Sequence, residues 1–236
     1  MLPTDCIDII LNFSGDIVYE TDSCRISAAP FHINGLRRKH TFIQQAGNLQ
    51  IFGISLYPFG LYPFINKSLS CIKDRVVDLY ELSAALAKNL ESAIINGVNV
   101  ENAIENIQKA LCFELHVTKD YINKAKLIQD YLELGNDATL QSFCAEHEIH
   151  IKALQRYMLQ YTGYTPKILR SIKRFQKIGN SLVFQKASRL LDIAHDYDFA
   201  DQAHFIREFR KFSGAAPRAF GQEKVTIKEN VEYIYK

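Results

Sequence analysis

No two of the five cysteines, Cys6, Cys24, Cys71, Cys112 and Cys144, form a CxxC pair. An odd number excludes a complete intramolecular disulfide framework, and reduced thiols in a cytoplasmic protein are the expectation. No GxSxG, Walker-type or GxGxxG segment occurs. That removes the usual signatures of serine hydrolases, P-loop enzymes and dinucleotide-binding enzymes. A membrane-spanning run is missing too. The uncharged segment Ile51 to Asn66 is broken by Pro58, Gly60 and Pro63, too short and too interrupted to cross a bilayer as a helix. Met1 is followed by Pro3 and Asp5 without a basic stretch, so no secretory leader is expected. A strong excess of either charge is also absent, the formal net charge being +2.

What is present is enough for a packed core. The chain has 236 residues, 47% of them hydrophobic and 23% charged, the composition of a globular protein of one large or two ordinary domains. The charge is unevenly spread. Residues 1–120 carry 10 Lys and Arg against 13 Asp and Glu, whereas residues 121–224 carry 16 against 11. An anionic partner is therefore sought in the second half.

Residues 6–57 read mainly as strands. "CIDIILNF" and "LQIFGISLY" are rich in β-branched and aromatic residues, with turn formers at "SGD" and "AGN". "YPFGLYPF" marks a break. From Asp74 the period becomes helical, with Val77, Leu82, Leu86 and Ile94 at or near three- and four-residue spacings. A second helix follows Asn96 or Asn99 as N-cap. Beyond about residue 118 the pattern is helical to about 220, and "VTIKENVEYIYK" at the end alternates like a short strand or a flexible tail.

The second half repeats itself. "IKALQRYMLQYTGYTPKIL" from Ile151 matches "QAHFIREFRKFSGAAPRAF" from Gln202 at an offset of 51 residues. Leu154 aligns with Phe205, Arg156 with Arg207, Met158 with Phe209, Tyr161 with Phe212, Gly163 with Gly214 and Pro166 with Pro217. Upstream, "LQSFCAEHEI" matches "LLDIAHDYDF" at an offset of 50. Each copy reads as helix, tight turn, longer helix, the shape of a helix-turn-helix or of an αα-hairpin used only for packing.

At about 100° per residue, Phe205, Phe209 and Phe212 share one buried sector, and Leu154, Met158 and Tyr161 share the equivalent one. Opposite lie Ala203, His204, Arg207, Arg210 and Lys211 in one copy, and Lys152, Ala153, Arg156 and Gln160 in the other. Two arginines thus centre two outward faces at matching positions. Arginine can grip the O6 and N7 of guanine bidentately, or a phosphate.

These residues carry a resemblance. Residues 120–221 resemble the DNA-binding domain of AraC/XylS-type transcription regulators. The resembling segments are "LQSFCAEHEIHIKALQRYM", "GYTPKILRSIKRF", "LLDIAHDYDFADQAHFIREFRKFSG" and "APRAF". The resemblance implies two helix-turn-helix units joined by a long helix, here about Pro166 to Val183, with recognition helices entering successive major grooves roughly 34 Å apart. Carried over by position, base-reading residues fall at Lys152, Gln155 and Arg156, and at Gln202, Ala203, His204 and Arg207. Lys167, Arg170, Lys173 and Lys211 are candidates for phosphate. The sequence departs from the family at the tight turns, where Glu148 and Asp198 replace a small residue, and at His147 and His150. Those departures keep open the alternative of a ligand- or protein-binding module with weak or lost DNA specificity.

Residues 6–115 resemble, less distinctly, the small sensor-like domains that precede such DNA-binding domains, often partial β-barrels. The expected fold class is α+β, an N-terminal β-rich partial barrel with helices and a C-terminal all-α double helix-turn-helix domain. The expected division is 1–117, 118–224 and a tail 225–236. Double-stranded DNA is the implied partner. A small-molecule effector at the N-terminal domain, RNA polymerase and a second copy are further candidates; no cofactor, membrane or enzymatic activity is implied. Phe31, Phe52, Tyr57, Phe59, Tyr62 and Phe64 could line an apolar pocket or form core. Cys144, His147 and His150 stand at a ligand-like spacing but lack a fourth donor for zinc. His32 and His40 form no H-x-H pattern, and "LRRKH", Leu36 to His40, reads as a solvated loop or strand edge.

Overall fold

The computed structural model describes residues 2–21, 24–135, 138–184, 190–197 and 199–217. Among the described residues one antiparallel sheet is built from β1 (Ile7–Glu20), β2 (Arg25–Ser27), β3 (Phe31–Asn34), β4 (Phe42–Leu56) and β5 (Val76–Asp78). β1 is the spine of this curled sheet. β4 pairs along nearly its whole length, while β3 pairs with Asp8–Leu11 and β2 with Val18–Glu20. β5 closes the far side on β3, with Ile33 opposite Val77. Alternation drives Ile7, Ile9 and Leu11 fully inward, each burial contributing about 1.5–3 kcal/mol.

Two sequence expectations change here. "SGD" and "AGN" are not turns. β1 and β4 run straight through them, with register shifts between Asn12 and Asp16 and positive φ at Gly15 (74°) and Gly47 (79°). The two glycines face each other as bulges in one long strand pair, because cross-strand pairing over 14- and 15-residue strands outweighs the local turn preference. Val77 is likewise a strand residue, not the first turn of a helix. Its neighbour Asp78 caps the helix that follows, accepting the Tyr80 N–H at 2.7 Å.

The helices are α1 (Tyr62–Ile65), α2 (Leu79–Leu82), α3 (Ala84–Ile95), α4 (Val100–Glu114), α5 (Lys119–Glu133), α6 (Leu140–Glu146), α7 (Ile151–Thr162), α8 (Pro166–Phe184), α9 (Leu190–Asp196) and α10 (Gln202–Ser213). Most begin on a side-chain cap. Ser83 starts α3, Asn99 starts α4, Thr118 starts α5, and Thr139 with Ser142 forms a capping box on α6. No helix of the described residues is long and apolar enough to cross a membrane.

Two hydrophobic cores result. The larger gathers the sheet, α3, α5 and the first helix pair: Ile9, Ile33, Leu69, Leu90, Ile128, Phe143, Leu154, Met158 and Tyr164 all belong to it. The smaller gathers Ile172, Phe175, Ile178, Ile193, Ala194, Phe205, Phe209 and Phe212. α8 passes from one to the other between Leu169 and Ile172.

Hydrogen bonds fasten the first helix pair to the N-terminal half. Gln160 Nε2 donates to the Tyr62 hydroxyl at 2.9 Å, Ser70 Oγ to the Leu159 carbonyl at 3.0 Å and Tyr164 Oη to the Leu36 carbonyl at 2.9 Å. The rings of Tyr62, Tyr121 and Tyr161 pack together, and Tyr121, pushed up to about 12 by burial, keeps its proton for the Phe59 carbonyl. Of the aromatics that could have lined a pocket, Phe31 and Phe59 are core and Tyr57 is exposed. The segment 225–236 lies outside the described residues.

Candidate nucleic-acid interface

The sequence repeat is a structural repeat in its second helices. α7 and α10 are each 12 residues long, about 18 Å. Each ends in a glycine with left-handed backbone, Gly163 at φ 79° and Gly214 at φ 76°, whose N–H returns to the carbonyl of Leu159 or Arg210. The residue before each glycine does the same work. Thr162 Oγ1 donates to the Met158 carbonyl and accepts the Tyr164 N–H; Ser213 Oγ donates to the Phe209 carbonyl and accepts the Ala215 N–H.

The N-termini differ. Asp201 caps α10, its carboxylate accepting the His204 N–H at 2.6 Å. His150 caps α7, its Nδ1 accepting the Lys152 N–H at 3.2 Å. An imidazole thus serves as the cap at one of the positions where the sequence departs from the family. His147 lays its ring on Phe143, centroids 4.1 Å apart, while Cys144 is buried, its thiol pushed up by desolvation. Among the described residues no group of three His, Cys, Asp or Glu could hold a metal ion.

Glu148 turns the chain between α6 and α7 with φ at 50°, a left-handed backbone unfavourable for a long side chain. Glu148→Gly is therefore expected to stabilise the protein by about 1 kcal/mol, read as a higher urea midpoint. The equivalent Asp198 lies outside the described residues.

The inward stripes are as the periodicity predicts: Leu154, Met158 and Tyr161 on α7, and Phe205, Phe209 and Phe212 on α10, are all buried. Lys152, Gln155 and Arg156 are exposed on α7; Ala203, Arg207 and Lys211 are exposed on α10, with Gln202 and His204 half-buried. The Arg156 guanidinium lies 5.4 Å from the centre of the Tyr157 ring. His204 stands edge-on to Phe199, ring centroids 5.4 Å apart. Lys211 is 3.7 Å from Glu208 on its own helix, an exposed pair of little strength. Gln160, the last outward residue of α7, is taken by Tyr62, so only the N-terminal part of that face is open.

Beside these helices, a cleft of about 440 Å³ runs along α8 and is lined by Lys167, Arg170, Lys173, Arg174 and Lys177, with Tyr131 and Tyr197 among its walls. Among the described residues no carboxylate lines it. The five cations have different duties. Arg170 donates to the carbonyls of Gly135 (2.9 Å) and Ala138 (2.7 Å), holding the loop between α5 and α6. Arg174 lies 4.2 Å over the Phe199 ring and reaches the Tyr197 carbonyl. Arg170 is thus a brace more than a phosphate hand, and the three lysines are the more available charges. Lys177 was not singled out in the sequence, although its three- and four-residue spacing from Lys173 and Arg174 marks the same helix face.

The domain family described as "Helix-turn-helix domain" matches residues 143–223, and one described as "Domain of unknown function (DUF6597)" matches residues 1–78. Comparison with curated proteins yields no match. Among solved structures, similarity extends to the C-terminal domain of AraT, a response regulator from Geobacillus stearothermophilus, at 20% identity over 48% of this chain and 93% of that one, TM-score 0.39. It extends also to ToxT from Vibrio cholerae, at 12% identity over 93% of this chain and 91% of that one, TM-score 0.43. An unsaturated fatty acid-bound form of ToxT, strain SCE256, aligns at 13% identity over 93% of this chain and 88% of that one, TM-score 0.47.

Proposed function

We propose that this chain, whose residues 143–223 are a helix-turn-helix domain of the AraC type, is a DNA-binding transcription regulator that reads two successive major-groove segments. The observation that carries the reading is the paired outward face. Two 12-residue helices with the same glycine stop present Arg156 and Arg207 at matching exposed positions. In this reading residues 118–224 are the DNA-binding domain and 1–117 the sensor-like one.

The roles divide by chemistry. Arg156 and Arg207 present forks suited to guanine, Gln155 and Gln202 amides suited to adenine, and Ala203 a methyl suited to thymine. Lys152 and His204 flank them. Lys167, Lys173, Lys177 and Lys211 neutralise phosphate and set position without reading sequence.

The test starts from a DNA site selected from a random library and measures affinity by fluorescence anisotropy. Arg156→Ala and Arg207→Ala should each weaken binding by about 1–3 kcal/mol and relax specificity at one position. Lys173→Ala should weaken binding evenly across sequences and reduce the salt slope by about 1. Wild-type affinity in both arginine variants, with the fold intact, would sink the base-reading assignment. Absence of any binding at low salt would favour a module that keeps the fold without reading DNA.

A further inference from the structure

Among the described residues the sheet has one long edge without a strand beside it. β4 pairs with β1 on one side and with no strand on the other. The strands at the two ends of the sheet path, β2 and β5, are only three residues long, whereas β4 has 15. None of those 15 residues is charged and none is proline. Shortness, charge and proline are the devices that normally guard an edge, and β4 has none of them. Residues 42–48 are all exposed, Phe42 by 62% and Ile43 by 38%, and Ile51 beyond them by 39%. Such an edge is a template for a further strand.

The inner face is incomplete on the same side. Residues opposite each other on paired strands share a face. Ile9, Leu11, Ile17 and Tyr19 of β1 are buried. Of their partners on β4, Ile54 and Phe52 are half-buried, and Gln45 and Ile43 are exposed. A strand beside β4 would carry inward side chains over that rim.

The end of the second helix-turn-helix unit lies at the start of this edge. The connection between β3 and β4, expected as a solvated loop, is drawn inward, Arg37 being only 6% exposed. His40 of the same connection lies against α10: a Cβ built on Gly214 would be 2.4 Å from His40 Cε1. The His40 ring stands edge-on to Phe42, the first residue of β4, with centroids 5.3 Å apart. The described chain reaches Pro217, three residues past Gly214, and residues 218–236 continue from there. In their sequence Val225, Ile227, Val231, Tyr233 and Tyr235 alternate with Thr226, Lys228, Asn230 and Glu232; Glu229 and Ile234 are the exceptions. That is the pattern of a strand with one apolar face, and it brings the charges that β4 lacks. The reach suffices. The eight residues from Pro217 to Val225 span up to about 26–29 Å, and residues 225–235 would extend over about 36 Å of the roughly 50 Å of β4.

We propose that residues 225–235 of this chain add to the free edge of β4 as a further strand. Val225, Ile227, Val231 and the two tyrosines face inward, and Lys228 and Glu232 face solvent. The pairing straps the end of α10 to the N-terminal sheet. That the strap holds the second reading helix in a fixed setting rests on the DNA-binding reading above; the pairing itself does not.

The pairing is tested without DNA, by hydrogen exchange of the full chain against a chain shortened after Lys224. Exchange in α3 and α5 reports that the fold is kept. Peptides covering residues 42–51 should exchange about tenfold faster in the shortened chain, and a synthetic peptide of residues 225–236 should restore their protection. The double variant Val231→Lys, Tyr233→Lys places charges on the inward face and should match the shortened chain, whereas Lys228→Ala should match the full one. Equal protection of residues 42–51 in the full and shortened chains overturns the proposal. So does fast exchange there in the full chain, which leaves the edge open, or protection that rises with protein concentration and ignores the deletion, which assigns the edge to a second copy. A shortened chain that precipitates until the peptide is added supports the pairing, since a bare edge aggregates; precipitation that the peptide does not relieve counts against it. DNA affinity of the shortened chain is a separate arm, so failure of DNA binding leaves the exchange result standing.

Discussion

Gly163→Ala is expected to lower stability by about 3 kcal/mol or more, while Gly214→Ala, the same change one repeat later, should lower it by about 1–2 kcal/mol. Both positions need a left-handed backbone, φ 79° and 76°, and both lose that ease with a Cβ. Their surroundings separate them. At Gly163 the new Cβ would sit 2.8 Å from the carbonyl oxygen of Leu69 and 3.2 Å from its carbon. Those are backbone atoms held beneath the large core by Leu69 and Ile72, and they cannot swing aside. At Gly214 the neighbour is the ring of His40, a side chain that can rotate away. Urea unfolding of both variants checks the contrast. Equal losses would mean that the joint between α7 and the N-terminal half is softer than its packing implies. The expected loss at Gly163 is a large share of the stability of an ordinary domain.

That contrast marks where sequence reasoning runs out. The repeat made α7 and α10 legible, down to the stripes Leu154–Met158–Tyr161 and Phe205–Phe209–Phe212 and the glycine stops, because helical period and capping are local properties. It could not distinguish the two copies. The difference lies in Leu69 and Ser70 packing under Gly163, a contact across more than 90 positions of sequence. The same limit explains β5. Val76–Asp78 are three residues that become a strand only through pairing with His32–Asn34, and alone they read as the start of the next helix. It explains Gly15 and Gly47 as well, turn formers that become bulges once β1 and β4 align. Leu36 and Arg37 were the furthest from expectation. "LRRK" carries the composition of a solvated loop, but Tyr164 and Asp74 both bond the Leu36 carbonyl and draw the segment inward. The exposure of Arg156 and Arg207 on the outward faces followed from the helical wheel, whereas the engagement of Arg170 with the carbonyls of Gly135 and Ala138 depends on tertiary contact.

Phe205→Ala should unfold the second helix-turn-helix unit while leaving the first folded. Phe205 is fully buried, with ring centroids 5.2 Å from Phe199 and 5.8 Å from Phe209. Truncating a phenylalanine in such a site costs about 3–5 kcal/mol. Among the described residues the core around it has eight buried members, against 29 in the core that holds α7, so the deficit falls on a small cooperative unit. Outside α8, the ties of that unit to the rest include His40 against Gly214 and Leu2 against the small core. Hydrogen exchange read by mass spectrometry should show amides of α9 and α10 losing protection while those of α5 and α7 keep it. Equal loss in α7 would mean that α8 transmits folding from one core to the other and that the two behave as one unit. Under the proposed DNA reading the variant has a second expected signature. Its footprint should contract to the segment read by Lys152, Gln155 and Arg156, with affinity there reduced but sequence preference retained. A variant that keeps the full footprint would place Phe205 outside the support of the second reading face. The cost of removing one ring therefore measures how independently the two halves of the repeat stand.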